Sequence, residues 1–130
     1  MANILIVDDS ILDASRATML LTRQNHHCTH AISAEQALEI LANGIVPDVI
    51  LMDLVMEGMN GFQAIRIIRK LKRYENVPIV IVSGKGSPTD KIWAGSTGAN
   101  DYLVKPVIEA TLIPCIDKVI QSTPCAGAIE

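Results

Sequence analysis

Three runs of consecutive apolar residues frame this chain: Ile4-Leu5-Ile6-Val7, Val49-Ile50-Leu51-Met52 and Ile79-Val80-Ile81-Val82. Uninterrupted runs this short predict strands covered on both faces. Each stops at polar residues, respectively Asp8-Asp9-Ser10, Asp53 and Ser83-Gly84. Two weaker stretches, His26 to Ala31 and Asp101-Tyr102-Leu103-Val104, mix polar with apolar positions and read as edge strands.

Between the strands the apolar period becomes helical. The first helix runs from about Ile11 to Gln24, with Ala14, Ala17 and Leu21 on its inner face. Ser33 with Gln36 forms a capping box for the second, which carries Ala37, Leu38 and Leu41 and ends at Asn43-Gly44. Asn60 caps the third, whose inner face is Ala64, Ile65, Ile68 and Leu71, with Arg66, Arg69, Lys70 and Lys72 mostly outward. Ser87-Pro88-Thr89-Asp90 starts a short fourth helix that ends by Gly98. A fifth, from near Glu109, shows Leu112, Ile116, Val119 and Ile120 in register, but Pro114 falls in its interior. A proline there removes a hydrogen bond and crowds the carbonyl of Ala110, so this helix is expected to be kinked or to start late.

Five strand–helix units in alternation call for a parallel sheet with helices on both faces. The three continuous strands belong at its centre. That gives a doubly wound (βα)5, flavodoxin-like α/β fold with strand order 2-1-3-4-5 and a switch point between the first and third strands. Ligand chemistry in such sheets sits outside the carboxyl ends of the strands, where Asp8, Asp9 and Asp53 converge.

Composition narrows the class. With 130 residues the chain makes one domain, taken as 1–121 followed by a flexible tail, 122–130. A net charge of −3 and the lack of any basic run argue against a nucleic-acid partner. The apolar runs fall far short of the ~20 residues that cross a bilayer, so no membrane insertion is expected. Cys28, Cys115 and Cys125 are odd in number and widely spaced, and the N-terminus lacks a secretory pattern; a reducing cytoplasm is the expected compartment. His26, His27, Cys28 and His30 lie on alternating faces of an edge strand and are read as solvated side chains, not a metal site.

Two carboxylates about 4 Å apart repel by roughly 4 kcal/mol at an effective dielectric of 20. Three in one crevice therefore hold a proton or a cation. Oxygen ligands with room for water suit Mg²⁺. A single acid at a strand end would be read as a turn or cap residue; three at a switch point outweigh that reading. Ser83 and Lys105 end the fourth and fifth strands at the same side. With a cation, a hydroxyl and an ammonium at hand, a carboxylate can attack phosphorus, and Asp53, alone on the middle strand, is the candidate nucleophile.

The set Asp8-Asp9, Asp53, Ser83 and Lys105-Pro106, spread over Ile4 to about Gln121, resembles the receiver domain of two-component response regulators. The resemblance implies that Asp53 accepts phosphate from a histidine kinase or phosphotransfer domain. It implies that Asp8 or Asp9, Asp53 and the backbone carbonyl of Val55 bind Mg²⁺, and that Ser83 and Lys105 contact the phosphoryl group. Lys105-Pro106 would be a cis bond, and Tyr102 would move inward together with Ser83. Thr89-Asp90-Lys91-Ile92-Trp93 and Gly98-Ala99-Asn100-Asp101-Tyr102-Leu103 look most like the stand-alone, chemotaxis-type receivers of type IV pilus twitching motility. Such a protein signals to a protein target, here unknown, through the face of the fourth helix, fifth strand and fifth helix. Glu57 departs from the proline common in receivers, and Val55 and Lys85 flank the site where receivers tune hydrolysis of the acyl phosphate. A haloacid-dehalogenase-like phosphatase is the competing enzyme, but Asp8-Asp9 lacks its Asp-x-Asp spacing. A flavodoxin-like electron carrier would need a Ser/Thr-rich phosphate loop where this chain has acids. A receiver fold serving only as a non-phosphorylated interaction module is the third alternative.

Overall fold

The computed structural model describes residues 2–84 and 98–122. Strands β1 (Asn3–Val7), β2 (His27–Ala31), β3 (Val49–Asp53), β4 (Ile79–Ser83) and β5 (Asp101–Val104) form one sheet in the order β2-β1-β3-β4-β5. All four pairings are parallel. The central strands β3 and β4 are buried at every position, whereas β2 and β5 are half-buried, as edges are. The expected α/β architecture and strand order are both present.

Helices α1 (Ile11–Thr22), α2 (Ala34–Ala42) and α3 (Gly61–Lys70) and a C-terminal helix (Glu109–Ser122) cover the sheet. Alternate strand residues face opposite layers. Leu5, Val7, Ile50, Met52, Ile79 and Ile81 pack against α2 and α3. Ile4, Ile6, Val49, Leu51, Val80 and Val82 pack against α1 and the C-terminal helix. The predicted fourth helix, with Ser87, Pro88, Asp90 and Trp93, and also Lys85, lie outside the described residues. Among the described residues no helix is long and apolar enough to cross a membrane.

Local signals acted with some differences. Ser33 Oγ accepts from Gln36 N as a cap should, but Gln36 Oε1 takes the N–H of Ile32, one residue outside the box. The full reciprocal box occurs instead at Asn60 and Gln63. Leu71 is not on the inner face of α3: the helix stops at Lys70, and Leu71, in extended conformation, is 41% exposed. Arg69 is not outward either. It turns under the helix end and binds backbone carbonyls of Tyr74, Val77 and Gly98. Pro114 does not delay the C-terminal helix, which is continuous from Glu109. The exposed proline sits in its second turn and leaves the carbonyl of Ala110 without the usual N–H.

Candidate functional site

β1 and β3 are adjacent, with Val7 opposite Met52, so the residues that follow in each strand's direction leave the sheet side by side. This register brings Asp8, Asp9 and Asp53 together. Each offers an oxygen, and the three oxygens lie within 4.8 Å of one another. Asp8 and Asp53 are both only 5% exposed, while Asp9 faces solvent. Asp8 Oδ1 accepts the Ser10 N–H at 2.8 Å. The same turn lets Ser10 Oγ cap α1 through Asp13 N at 3.2 Å.

Lys105 directly follows β5, and its backbone N–H bonds to Ser83 O at 2.8 Å. Its Nζ lies 2.9 Å from Asp8 Oδ2, 3.0 Å from Asp13 Oδ2 and 3.5 Å from Asp53 Oδ1. The following Lys105-Pro106 bond is cis. Ser83 is buried at the end of β4, one position beyond the Val82 that pairs with Asp53. Tyr102 of β5 pairs with Ile81 of β4 and packs, half-buried, on the α2–α3 layer. Val55 is exposed beside the acids, and its backbone N–H bonds to the Asp53 carboxylate.

Burial is the main force on Asp53. Together with the charge of Asp8 and, less, of Asp9, it outweighs Lys105 and the Val55 N–H, and the carboxyl is pushed up to about 6. Burial alone would lower Lys105, but hydrogen bonds to Asp8 and Asp13 and the charge of Asp53 hold it above its ordinary value. The ammonium thus stays charged, and Asp53 is charged at a cost. That is the electrostatic state a divalent cation relieves, and a set of hard oxygens fits Mg²⁺ rather than a soft metal. The His26–His30 stretch contributes nothing comparable: His26 Nδ1 meets Ala2 N at 3.0 Å, and His30 Nε2 meets Asp8 O at 2.8 Å.

Two residues of the site were missed from sequence. Asp13 carries a fourth carboxylate to Lys105; an acid in the first turn of α1, one turn before the buried Ala17, was the available signal. Gly61 opens α3 so close to β3 that an added Cβ would overlap the Asp53 carbonyl oxygen. The glycine therefore sets how tightly α3 closes over the end of β3. The intervening loop is held by Glu35 of α2, whose Oε2 accepts the Met59 N–H at 3.2 Å, and turns at Gly58, φ +78°.

The sequence and the fold that carry this site are similar to those of known proteins. Protein PilH of Pseudomonas aeruginosa is 43% identical over 120 residues, covering 92% of this chain and 98% of its own. The chemotaxis protein CheY4 of Vibrio cholerae superposes with a TM-score of 0.85 at 30% identity, over 92% of this chain and 98% of its own. The receiver domain of the Francisella response regulator 1452 gives 0.84 at 28%, over 93% and 98%. Residues 4–117 match the model of the response regulator receiver domain. A doubly wound sheet, acids at its switch point and a lysine after its last strand thus have one common explanation: this chain belongs to the receiver domain family of response regulators, which are signalling switches.

Proposed function

We propose that Asp53 accepts a phosphoryl group from the phosphohistidine of a histidine kinase or phosphotransfer domain in a Mg²⁺-dependent reaction. The observation that carries this reading is Asp53 itself: a buried carboxylate within 4.8 Å of two others and 3.5 Å from a lysine ammonium. One Asp53 oxygen attacks phosphorus while the donor's P–N bond breaks and its electron pair returns to the imidazole. Asp8, Asp9, Asp53 and the Val55 carbonyl would hold the metal, which when bound supplies charge neutralisation. Lys105 binds a phosphoryl oxygen, and Ser83 donates to another.

Ser83 and Tyr102 then carry the change to the surface. Tyr102 is packed on the α2–α3 layer, so an inward shift of its ring repacks that layer. Output is by contact with a protein target at the face of β5 and the C-terminal helix, joined by the predicted fourth helix. A difference of a few kcal/mol between two states is enough for such a switch. The receiver unit is 1–121, with 122–130 as a tail. The chain catalyses only its own phosphorylation and dephosphorylation, works in the cytoplasm without nucleic acid, and serves pilus motility or chemotaxis control.

Incubation with acetyl phosphate and Mg²⁺, read by intact mass, tests this. One phosphate should be gained by the wild type and none by Asp53→Ala. No gain in the wild type, or an undiminished gain in Asp53→Ala, rejects the reading, and the former leaves the fold as an interaction module only.

A further inference from the structure

Asp13 is an acid at this pocket for which phosphoryl transfer supplies no task. Its Oδ2 lies 3.0 Å from Lys105 Nζ, closer than the 3.5 Å that separates the same ammonium from Asp53 Oδ1. The ammonium is therefore drawn to the α1 side of the pocket, with Asp8 at 2.9 Å as its other near partner. Asp13 is not a loose side chain on a loop. Its backbone is fixed by the Ser10 cap, and the next residue, Ala14, is buried in the α1 layer. Arg16, one turn further, lines the same pocket but makes no ion pair among the described residues, so it does not neutralise Asp13.

We propose that Asp13 is a positioning residue that slows phosphoryl acceptance at Asp53, by holding Lys105 back and adding negative charge to the pocket. This rests on the phosphoacceptor reading of Asp53. Two effects act in the same direction. An ammonium has three protons to share, and one is committed to Asp13 before any phosphoryl oxygen arrives. A phosphodonor is itself anionic, and Asp13 adds a fourth carboxylate to those it must approach. The second effect is partly exposed to solvent, with the Asp13 side chain 39% accessible, so salt should weaken it.

The test uses the full chain as wild type, Asp13→Asn, Asp13→Glu and Asp53→Ala, each with acetyl phosphate and Mg²⁺ at low and at near-physiological ionic strength. Asp13→Asn keeps the size of the side chain and removes its charge. Its phosphorylation should be about fivefold to twentyfold faster than wild type at low salt, with the gap narrowing as salt rises. Asp13→Glu should stay within about twofold of wild type, since it keeps the charge. Affinity for beryllofluoride, measured by calorimetry, should rise in Asp13→Asn alongside the rate. A merely structural Asp13 would change thermal stability without a salt-dependent gain in rate. Equal or slower phosphorylation of Asp13→Asn at both salts overturns the proposal while leaving Asp53 as acceptor. Absence of phosphate on wild type and Asp13→Asn alike, with both folded, rejects the acceptor reading itself and the proposal with it.

Discussion

At the carboxyl end of the sheet, Asp8 and Asp53 are buried beside each other and share one ammonium. At the amino end, the half-buried cation of Arg69 faces a different environment. Its Nε binds Gly98 O at 2.9 Å, its Nη1 binds Tyr74 O, Glu75 O and Val77 O at 2.7–3.2 Å, and its Nη2 binds Asn100 Oδ1 at 2.9 Å. That same Asn100 oxygen takes the N–H of Ile79, the first residue of β4. The cation at one end is thus matched donor to acceptor, while at the other end buried like charges crowd around a single ammonium. A matched network fixes structure; a repulsive one stores free energy that a cation or a phosphoryl group can release. The comparison separates a polar network closed on itself from a cluster with charge left over.

The largest effect expected is at the amino end. Arg69→Ala strips the carbonyls of Tyr74, Val77 and Gly98 of their donor, and hydrogen bonds to a charged group are worth roughly 1.5–3 kcal/mol each before solvent replaces them. Several of these carbonyls regain water, so a net loss of about 3 kcal/mol is expected in urea unfolding. Phosphorylation at 25 °C should still reach completion, because the site lies at the opposite end of the strands. A loss under about 1 kcal/mol would mean that this network is solvated and that the contrast between the ends is weaker than the bonds imply.

The next effect has the opposite sign. Burial and Asp8 raise the Asp53 carboxyl from 3.8 to about 6, so the folded protein binds this proton more tightly than the unfolded chain does. The associated stability is fully present below 3.8 and is lost as pH rises through about 6. In metal-free buffer at pH 7, Asp53→Asn should therefore be more stable than wild type, by on the order of 1–3 kcal/mol. The gain should shrink between pH 6 and pH 4, where wild type regains the proton. Mg²⁺ should stabilise wild type more than the variant. Thermal unfolding across pH, with and without Mg²⁺, measures all three. A variant less stable than wild type at pH 7 without metal would show that Lys105 over-compensates the repulsion.

How far the sequence foretold these two ends follows from the range of the interactions. Strands, their order and the acids at their ends are written in short patterns: an apolar run, a stop, a helical period. Asp8, Asp9 and Asp53 were placed because strand ends in a parallel sheet share one side. Lys105 was placed for the same reason. The illegible parts depend on partners far along the chain that no local pattern announces. Asp13 reaches Lys105 across 92 residues, and Arg69 reaches Asn100 across 31. Arg69 in particular sits among Arg66, Lys70 and Lys72 and looks like its solvated neighbours in composition. Tyr74 was passed over altogether, yet it is buried and its hydroxyl donates to the carbonyls of Leu41 and Ile45. Gly61 carries no such signal either, because the close approach that requires it is made by the backbone of another element.

The smallest effect tests whether the repulsion at the carboxyl end is real at the level of a single cap. Ser10 Oγ accepts the Asp13 N–H, so Ser10→Ala should cost about 1 kcal/mol, as loss of an N-cap does. Asp is as good a cap as Ser in ordinary surroundings. Here, though, it would join Asp8, Asp9, Asp13 and Asp53 about one ammonium. Ser10→Asp should therefore fall below wild type in metal-free buffer at low ionic strength, by roughly 0.5–1 kcal/mol, despite restoring the capping bond. Added salt should close most of that gap by screening, and Mg²⁺ should close it too, by binding where the charge accumulates. Urea unfolding of the two variants under the three conditions separates the contributions. If Ser10→Asp equals wild type at low salt without metal, the acids are already solvated well enough to tolerate another charge. The stored repulsion would then be confined to the buried pair, Asp8 and Asp53, and would not extend along the turn that leads into α1.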